Sequence, residues 1–128
     1  MKELTKAEEQ IIQILWEEKK GFVKNIIEHL PEPKPAYNTV STIIRILEKK
    51  GFVSHKAYGK TYEYYPLISK KKYTKVYFKN FVHNYFSNSF QQMVSFFAKE
   101  EDLSLSEMEE MKNIIEEEIN KQKINSHE

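Results

Sequence analysis

The chain has 128 residues, of which 40% are hydrophobic and 30% charged, and its net charge is +1. That length suits one domain, or a small domain with an appended dimerisation segment, and the composition argues against disorder as the default. The absence of cysteine excludes disulfides, thiolate metal sites and cysteine nucleophiles, and no apolar run reaches the roughly 18 residues of a membrane-spanning helix.

Met1–Lys6 carries no apolar stretch behind its basic start, so no secretory signal is expected and the predicted location is the cytoplasm. A first helix is predicted to follow. Thr5-Lys6-Ala7-Glu8 fits a capping box, and Ile11, Ile12, Leu15 and Trp16 form a compact apolar stripe. Lys19-Lys20-Gly21 closes it, with Gly21 expected to take the left-handed cap. Phe22 and Val23 form a short apolar entry, with the option of an edge strand. A second helix is predicted from about Val23 to Leu30, burying Ile26, Ile27 and Leu30. Three prolines within Pro31–Pro35 stop it and hold the chain extended.

The third helix is predicted over about Tyr37 to Lys50, with Val40, Ile43, Ile44 and Leu47 on one face. Asn38, Thr39, Ser41, Thr42 and Arg45 fall on the other face or its margins. Phe52–Tyr58 and Thr61–Tyr65 then read as two strands, rich in aromatic and β-branched residues, around a Gly59-Lys60 turn. From Ser69 the pattern turns lysine-rich, then aromatic. A long helix to about Tyr85 carries the stripe Tyr73, Val76, Tyr77, Phe81 and Tyr85. Ser87-Asn88-Ser89 either bends this helix or starts another through Phe90, Met93, Val94, Phe96 and Phe97. A last helix, capped by Ser104 or Ser106, presents Leu105, Met108, Met111, Ile115 and Ile119. The final polar residues are expected to fray.

Helix, helix, proline-bearing turn, helix and hairpin, in that order, describe a winged helix-turn-helix. The predicted fold is therefore mainly α with a small β-hairpin wing. A winged helix-turn-helix domain spans residues 1–68 and a helical dimerisation domain 69–128. Charge follows the same division. Pro33–Lys79 holds eleven Lys/Arg against two acids, whereas Lys99–Glu118 holds two Lys against nine acids. A basic front half suits a polyanion, and the acidic tail does not.

An α-helix fits the major groove, and short polar side chains near its N-terminus reach base edges. The expected base-reading helix carries Tyr37, Asn38, Thr39, Ser41, Thr42 and Arg45. His55, Lys56, Tyr58 and Lys60 on the wing are expected beside the sugar-phosphate backbone, contacts that position without reading sequence. The helix alone would equally suit a polar face that meets water; the hairpin and the basic balance favour DNA. The four histidines lack metal-ligand spacing and the three glycines stand singly, so no enzyme, metal or cofactor is expected. The aromatic stripe exceeds what the back half can cover, which marks an interface. A homodimer through Tyr77, Phe81, Tyr85, Phe90, Met108, Met111 and Ile115 would present two recognition helices about one DNA turn apart. The alternative is a winged-helix module that binds a protein partner through the third helix.

Several stretches together resemble the penicillinase/methicillin-resistance repressor family, the BlaI/MecI/CopY type. They are Leu4-Thr5-Lys6-Ala7-Glu8 leading to Ile14-Leu15-Trp16, Asn38-Thr39-Val40-Ser41-Thr42, and Leu47-Glu48-Lys49-Lys50-Gly51-Phe52-Val53. His55-Lys56, Tyr64-Tyr65-Pro66-Leu67 and Lys99-Glu100-Glu101-Asp102-Leu103-Ser104 continue the likeness, which runs from about Leu4 to Glu118. The resemblance implies repression of an operon by a dimer on an inverted-repeat operator. It sets Asn38, Thr39 and Thr42 where family members contact bases or adjacent phosphates. The family often carries Arg where this chain has Ile46; Arg45 lies one place earlier, about 100° round the helix. The resemblance also implies release by proteolysis or loss of the dimer, with a membrane sensor protease as partner and Phe96-Phe97 at the position of the cleaved pair. Copper-responsive members use C-terminal cysteines, so copper sensing by that route is excluded.

Overall fold

The computed structural model describes residues 2–100 and 103–126. Helix α1 (Lys6–Glu18) starts with a reciprocal capping box: Glu8 N–H donates to Thr5 Oγ1 at 3.2 Å and Thr5 N–H to Glu8 Oε1 at 2.8 Å. Its left-handed cap is Lys19, with φ 74°, and not Gly21 as expected. Gly21 is instead buried in strand β1 (Gly21–Phe22), a two-residue edge strand. The helix thus ends two residues early, and Gly21 pairs with Tyr64 in the sheet.

Helix α2 (Val23–Glu28) is shorter than the pattern predicts. His29 and Leu30 N–H bond three residues back, to Ile26 and Ile27 carbonyls, which tightens the final turn. Lys34 Nζ donates to the carbonyls of Glu28 (3.0 Å) and Leu30, satisfying groups the helix end leaves open. Helix α3 (Tyr37–Lys49) ends in a Schellman motif. Gly51, at φ 86°, donates to Glu48 carbonyl, and Phe52 N–H reaches Leu47 carbonyl, both at 3.0 Å.

Strands β2 (Val53–Tyr58) and β3 (Thr61–Pro66) form the hairpin, with Gly59 at φ 64° in its two-residue turn. Sheet order is β1-β3-β2, antiparallel throughout, with Gly21 opposite Tyr64 and His55 opposite Tyr64 on the other side. Fourteen buried residues make one core. Ile11, Ile12 and Leu15 of α1 meet Val23 and Ile26 of α2, Val40, Ile44 and Leu47 of α3, and Phe52, Val53 and Tyr64 of the hairpin.

Helix α4 (Lys70–Phe86) begins under a Ser69 cap, whose Oγ accepts from Lys72 N–H at 3.1 Å. Tyr73 is part of the core just described. Its hydroxyl accepts from Leu4 N–H at 3.2 Å and donates to Glu9 Oε1 at 3.1 Å, and its ring lies 5.9 Å from Trp16 and 5.8 Å from Phe52. The compact units accordingly divide between Phe78 and Lys79, later than the boundary expected after residue 68. Tyr73 carries the first turns of α4 into the winged-helix unit.

In the second unit, Ser87 (φ 51°) and Asn88 (φ 66°) break the helix. Helix α5 (Phe90–Glu100) follows with Ser89 as cap, then α6 (Leu105–Ser126) with Ser104 and Glu107 in a capping box. Helix α6 continues to Ser126, so the expected fraying is corrected up to that residue; Lys, Gln and Ile at its end are adequate helix formers. His127 and Glu128 lie outside the described residues. Rings of Phe81, Phe86, Phe96 and Phe97 cluster at 5.6–6.4 Å. Val82 alone among the described residues beyond Phe78 is a buried hydrophobic.

Candidate nucleic-acid interface

Burying Val40, Ile44 and Leu47 leaves the opposite side of α3 in solvent. Tyr37 is 54% exposed, and Asn38, Thr39, Thr42 and Arg45 are exposed with it. The helix starts after Ala36, which offers no side-chain cap. Its first amide donors therefore point outward without a side-chain acceptor, and with the macrodipole they favour an anion. Thr42 Oγ1 donates to Asn38 carbonyl at 2.9 Å, so its proton is used within the helix while its oxygen can still accept.

Ser41 was expected on this open side and is instead buried. At one helical step from Val40 it turns toward the wing. There it helps floor a groove of about 650 Å³ between α2, α3 and the hairpin, lined also by Lys24, Asn25, Tyr37, Arg45, Lys60 and Tyr62. Lys24, Asn25 and Tyr62 were not singled out from sequence. The signal for the first two was available, since the helix before the recognition helix crosses the DNA backbone in this motif.

Arg45 lines the same groove as Tyr64, near enough for its charge to act on the Tyr64 hydroxyl. Burial raises the Tyr64 hydroxyl above its ordinary value, Glu48 adds to that, and the Arg45 guanidinium partly offsets both. Ile46, the position at which the family often has Arg, is exposed. On the wing, Lys56, Tyr58 and Lys60 are exposed, with Lys56 Nζ 5.3 Å from the Tyr58 ring centre. His55 departs from the expectation that grouped it with them. It is half-buried, its Nδ1 lies 2.6 Å from Glu48 Oε2, and its ring stacks on Tyr62 at 4.1 Å. Strand alternation explains this: His55 faces α3, whereas Lys56 faces away.

The residues expected at a dimer contact are spread along α4, α5 and α6. Tyr77, Tyr85, Phe90, Met111 and Ile115 are exposed; Phe81 and Met108 are half-buried. A second groove, of about 580 Å³, lies in the second unit and is walled almost wholly by apolar groups, among them Met93, Val94, Phe97, Met108, Met111 and Ile115. Phe96 and Phe97 sit inside α5, and both are exposed. No helix among the described residues is long and apolar enough to cross a membrane.

The geometry agrees with what similar proteins are. The penicillinase repressor family matches residues 4–117. The methicillin resistance regulatory protein MecI of Staphylococcus aureus (strain N315) is 34% identical over 114 residues, which cover 88% of this chain and 93% of that one. The penicillinase repressor of Bacillus licheniformis is 25% identical over 122 residues, covering 94% and 95%. The solution structure of the DNA binding domain of the repressor BlaI is similar with a TM-score of 0.49 and 25% identity, over 57% of this chain and 94% of its own. On the length of the family match and the identity to MecI, this chain belongs to the penicillinase repressor family.

Proposed function

We propose that this protein is a transcriptional repressor that binds duplex DNA as a homodimer on an inverted-repeat operator. The observation that carries the reading is the N-terminal half of α3, a solvent-facing set of short polar side chains with an uncapped amide end, flanked by the cations of the wing. Tyr37, Asn38, Thr39, Thr42 and Arg45 form the reading surface. Lys56, Tyr58 and Lys60, with Lys24 and Asn25 across the groove, meet the phosphates. Ser41 and His55 act from within the fold.

The second unit supplies the dimer through Phe81, Tyr85, Phe90, Met108, Met111 and Ile115, with Tyr77 just before it in α4, because its apolar surface has too little chain of its own to cover it. Pairing presents two copies of α3 to two half-sites. Release follows from loss of that pairing. A membrane sensor protease that cuts at Phe96-Phe97 would achieve it, provided α5 first opens locally, since a protease takes its substrate extended. The protein acts in the cytoplasm on genes of antibiotic resistance, a reading supported by its likeness to a methicillin resistance regulator and a penicillinase repressor.

Footprinting on DNA flanking the gene tests the reading: a protected inverted repeat is expected. Affinity must also fall steeply with salt, by about 0.9 in log K per decade for each neutralised phosphate. Thr42→Ala is expected to weaken specific binding by about 1–3 kcal/mol. A flat salt response, or no binding of a random duplex at low salt, would instead favour a protein-binding winged helix.

A further inference from the structure

Resting on the reading that α3 and the wing bind duplex DNA, we propose that Glu48 and His55 are positioning residues: they form a latch that sets the wing against the recognition helix. Glu48 lies on α3 and His55 on β2. Their 2.6 Å contact joins side chains that are each about 30% exposed. The His55 ring stacks on Tyr62 of β3, 4.1 Å between centres at 18°, and lies tilted 5.6 Å from Tyr64. Tyr64 in turn lies near Arg45, nearly one helical turn before Glu48. One cluster therefore ties Glu48 of α3 to both strands of the wing, with Arg45 lining the same groove as Tyr64.

The root of the wing is held by Phe52, Val53 and Tyr64 in the core. Toward the tip, every side chain from Lys56 to Tyr62 is exposed. Between root and tip the hairpin meets the rest of the fold outside the core, at the latch and at the Phe22–Tyr58 ring contact of 5.8 Å. Lys56 follows His55 directly, and Lys60 sits in the turn beyond, so their reach depends on the angle of the hairpin.

Charge supports the assignment. Within Pro33–Lys79 only two acids stand among eleven cations. A carboxylate beside a polyanion-binding surface repels the ligand, so its presence needs another use. Both acids are engaged across elements: Glu63 with Lys20 at 3.8 Å and Glu48 with His55.

This makes the sign of one experiment decisive. In the full chain, Glu48→Ala, Glu48→Gln and His55→Phe would be compared with the unaltered protein by fluorescence anisotropy. The probes are a duplex from upstream of the protein's own gene and a random duplex of equal length, across a salt series, well below every variant's melting temperature. If Glu48 were only a negative charge, removing it would tighten binding. The latch requires the opposite: Glu48→Ala and His55→Phe bind more weakly, and the salt slope falls by about 4 on the operator duplex as Lys56 and Lys60 of both protomers lose their phosphates. Glu48→Gln, which still accepts the His55 hydrogen bond, retains the slope. Equal or tighter binding by Glu48→Ala, or an unchanged slope in both variants while the unaltered protein remains steep, overturns the latch alone. A flat salt response in the unaltered protein removes DNA binding and the latch together.

Discussion

The two units treat similar apolar content in opposite ways. Up to Phe78, helical stripes and the hairpin converge on fourteen buried residues, and the exposed side chains of α3 are polar or small at the reading end. Beyond Phe78, three helical segments carry phenylalanines, isoleucines and methionines of comparable number, yet Val82 is the only described one that is buried. Ile114 is 67% exposed, Leu105 69% and Tyr85 73%. Burial of one such side chain is worth about 1.5–3 kcal/mol. The first unit has gained that stabilisation within one chain. The second has left most of it exposed, as the proposed homodimer requires.

The largest effect should come from spoiling the second unit's surface. Met111→Asp puts a charge on the apolar groove. It is expected to convert the dimer to a monomer in sedimentation equilibrium and to lower affinity for a two-half-site duplex by about 10²–10⁴, the gain that linking two sites provides. The melting temperature should also lose its dependence on protein concentration. A variant that remains dimeric would mean that another surface carries the association.

Legibility in the sequence followed the same division. Local devices were readable: the Thr5 capping box, the Gly59 turn, and the faces of α1 and α3 each depend on residues a few places apart. Contacts between distant residues were not. The choice of Lys19 over Gly21 as cap depends on Gly21 pairing with Tyr64. His55 looked like any other wing side chain, because strand alternation defines two faces without saying which one meets α3. Ser41 sits at the margin of the apolar face, where composition cannot decide between groove floor and open surface. The open face of α3 was legible since only its buried side is constrained by packing. Glu8, read as a capping residue, also forms an ion pair with Lys50 that is 42 residues away and left no local trace.

That pair gives the next prediction. Glu8 Oε1 lies 2.8 Å from Lys50 Nζ, the carboxylate is almost fully buried, and Oε2 has no protein hydrogen-bond partner. Burial pushes the Glu8 carboxyl up, but Lys50 and the Thr5 hydrogen bonds outweigh it and hold the group below its ordinary 4.5. The stabilisation it carries is therefore complete above pH 4.5 and is lost as pH falls through the lower folded value. Lys50→Met leaves a buried carboxylate without its cation. With Lys50 itself partly exposed, the cost should be about 2–3 kcal/mol at neutral pH. The gap to the unaltered protein should shrink on acidification, as Glu8 takes up a proton. A gap independent of pH would show that lost packing, and not the charge, is responsible. Because Glu8 and Lys50 both belong to the first unit, dimerisation should be unaffected.

The smallest effect addresses where the two regions meet along the sequence. If the start of α4 belongs with the winged helix, Tyr73→Phe should weaken that unit by about 1 kcal/mol: the ring contacts with Trp16 and Phe52 remain, while Leu4 N–H and Glu9 lose the hydroxyl. Trp16 is the chain's single tryptophan and lies 5.9 Å from the Tyr73 ring, so its fluorescence reports this unit directly in a urea titration. Burial raises the Tyr73 hydroxyl above its ordinary 10.0, with Leu4 N–H lowering it and Glu9 and Glu3 adding to the rise. Its contribution is consequently present below pH 10.0 and declines as pH rises past that value, whereas the phenylalanine variant has nothing to lose there. The two urea midpoints should therefore differ at neutral pH and converge in alkali, with dimer dissociation unchanged. If Tyr73→Phe shifted dissociation while leaving the Trp16 transition in place, α4 would belong wholly to the second unit.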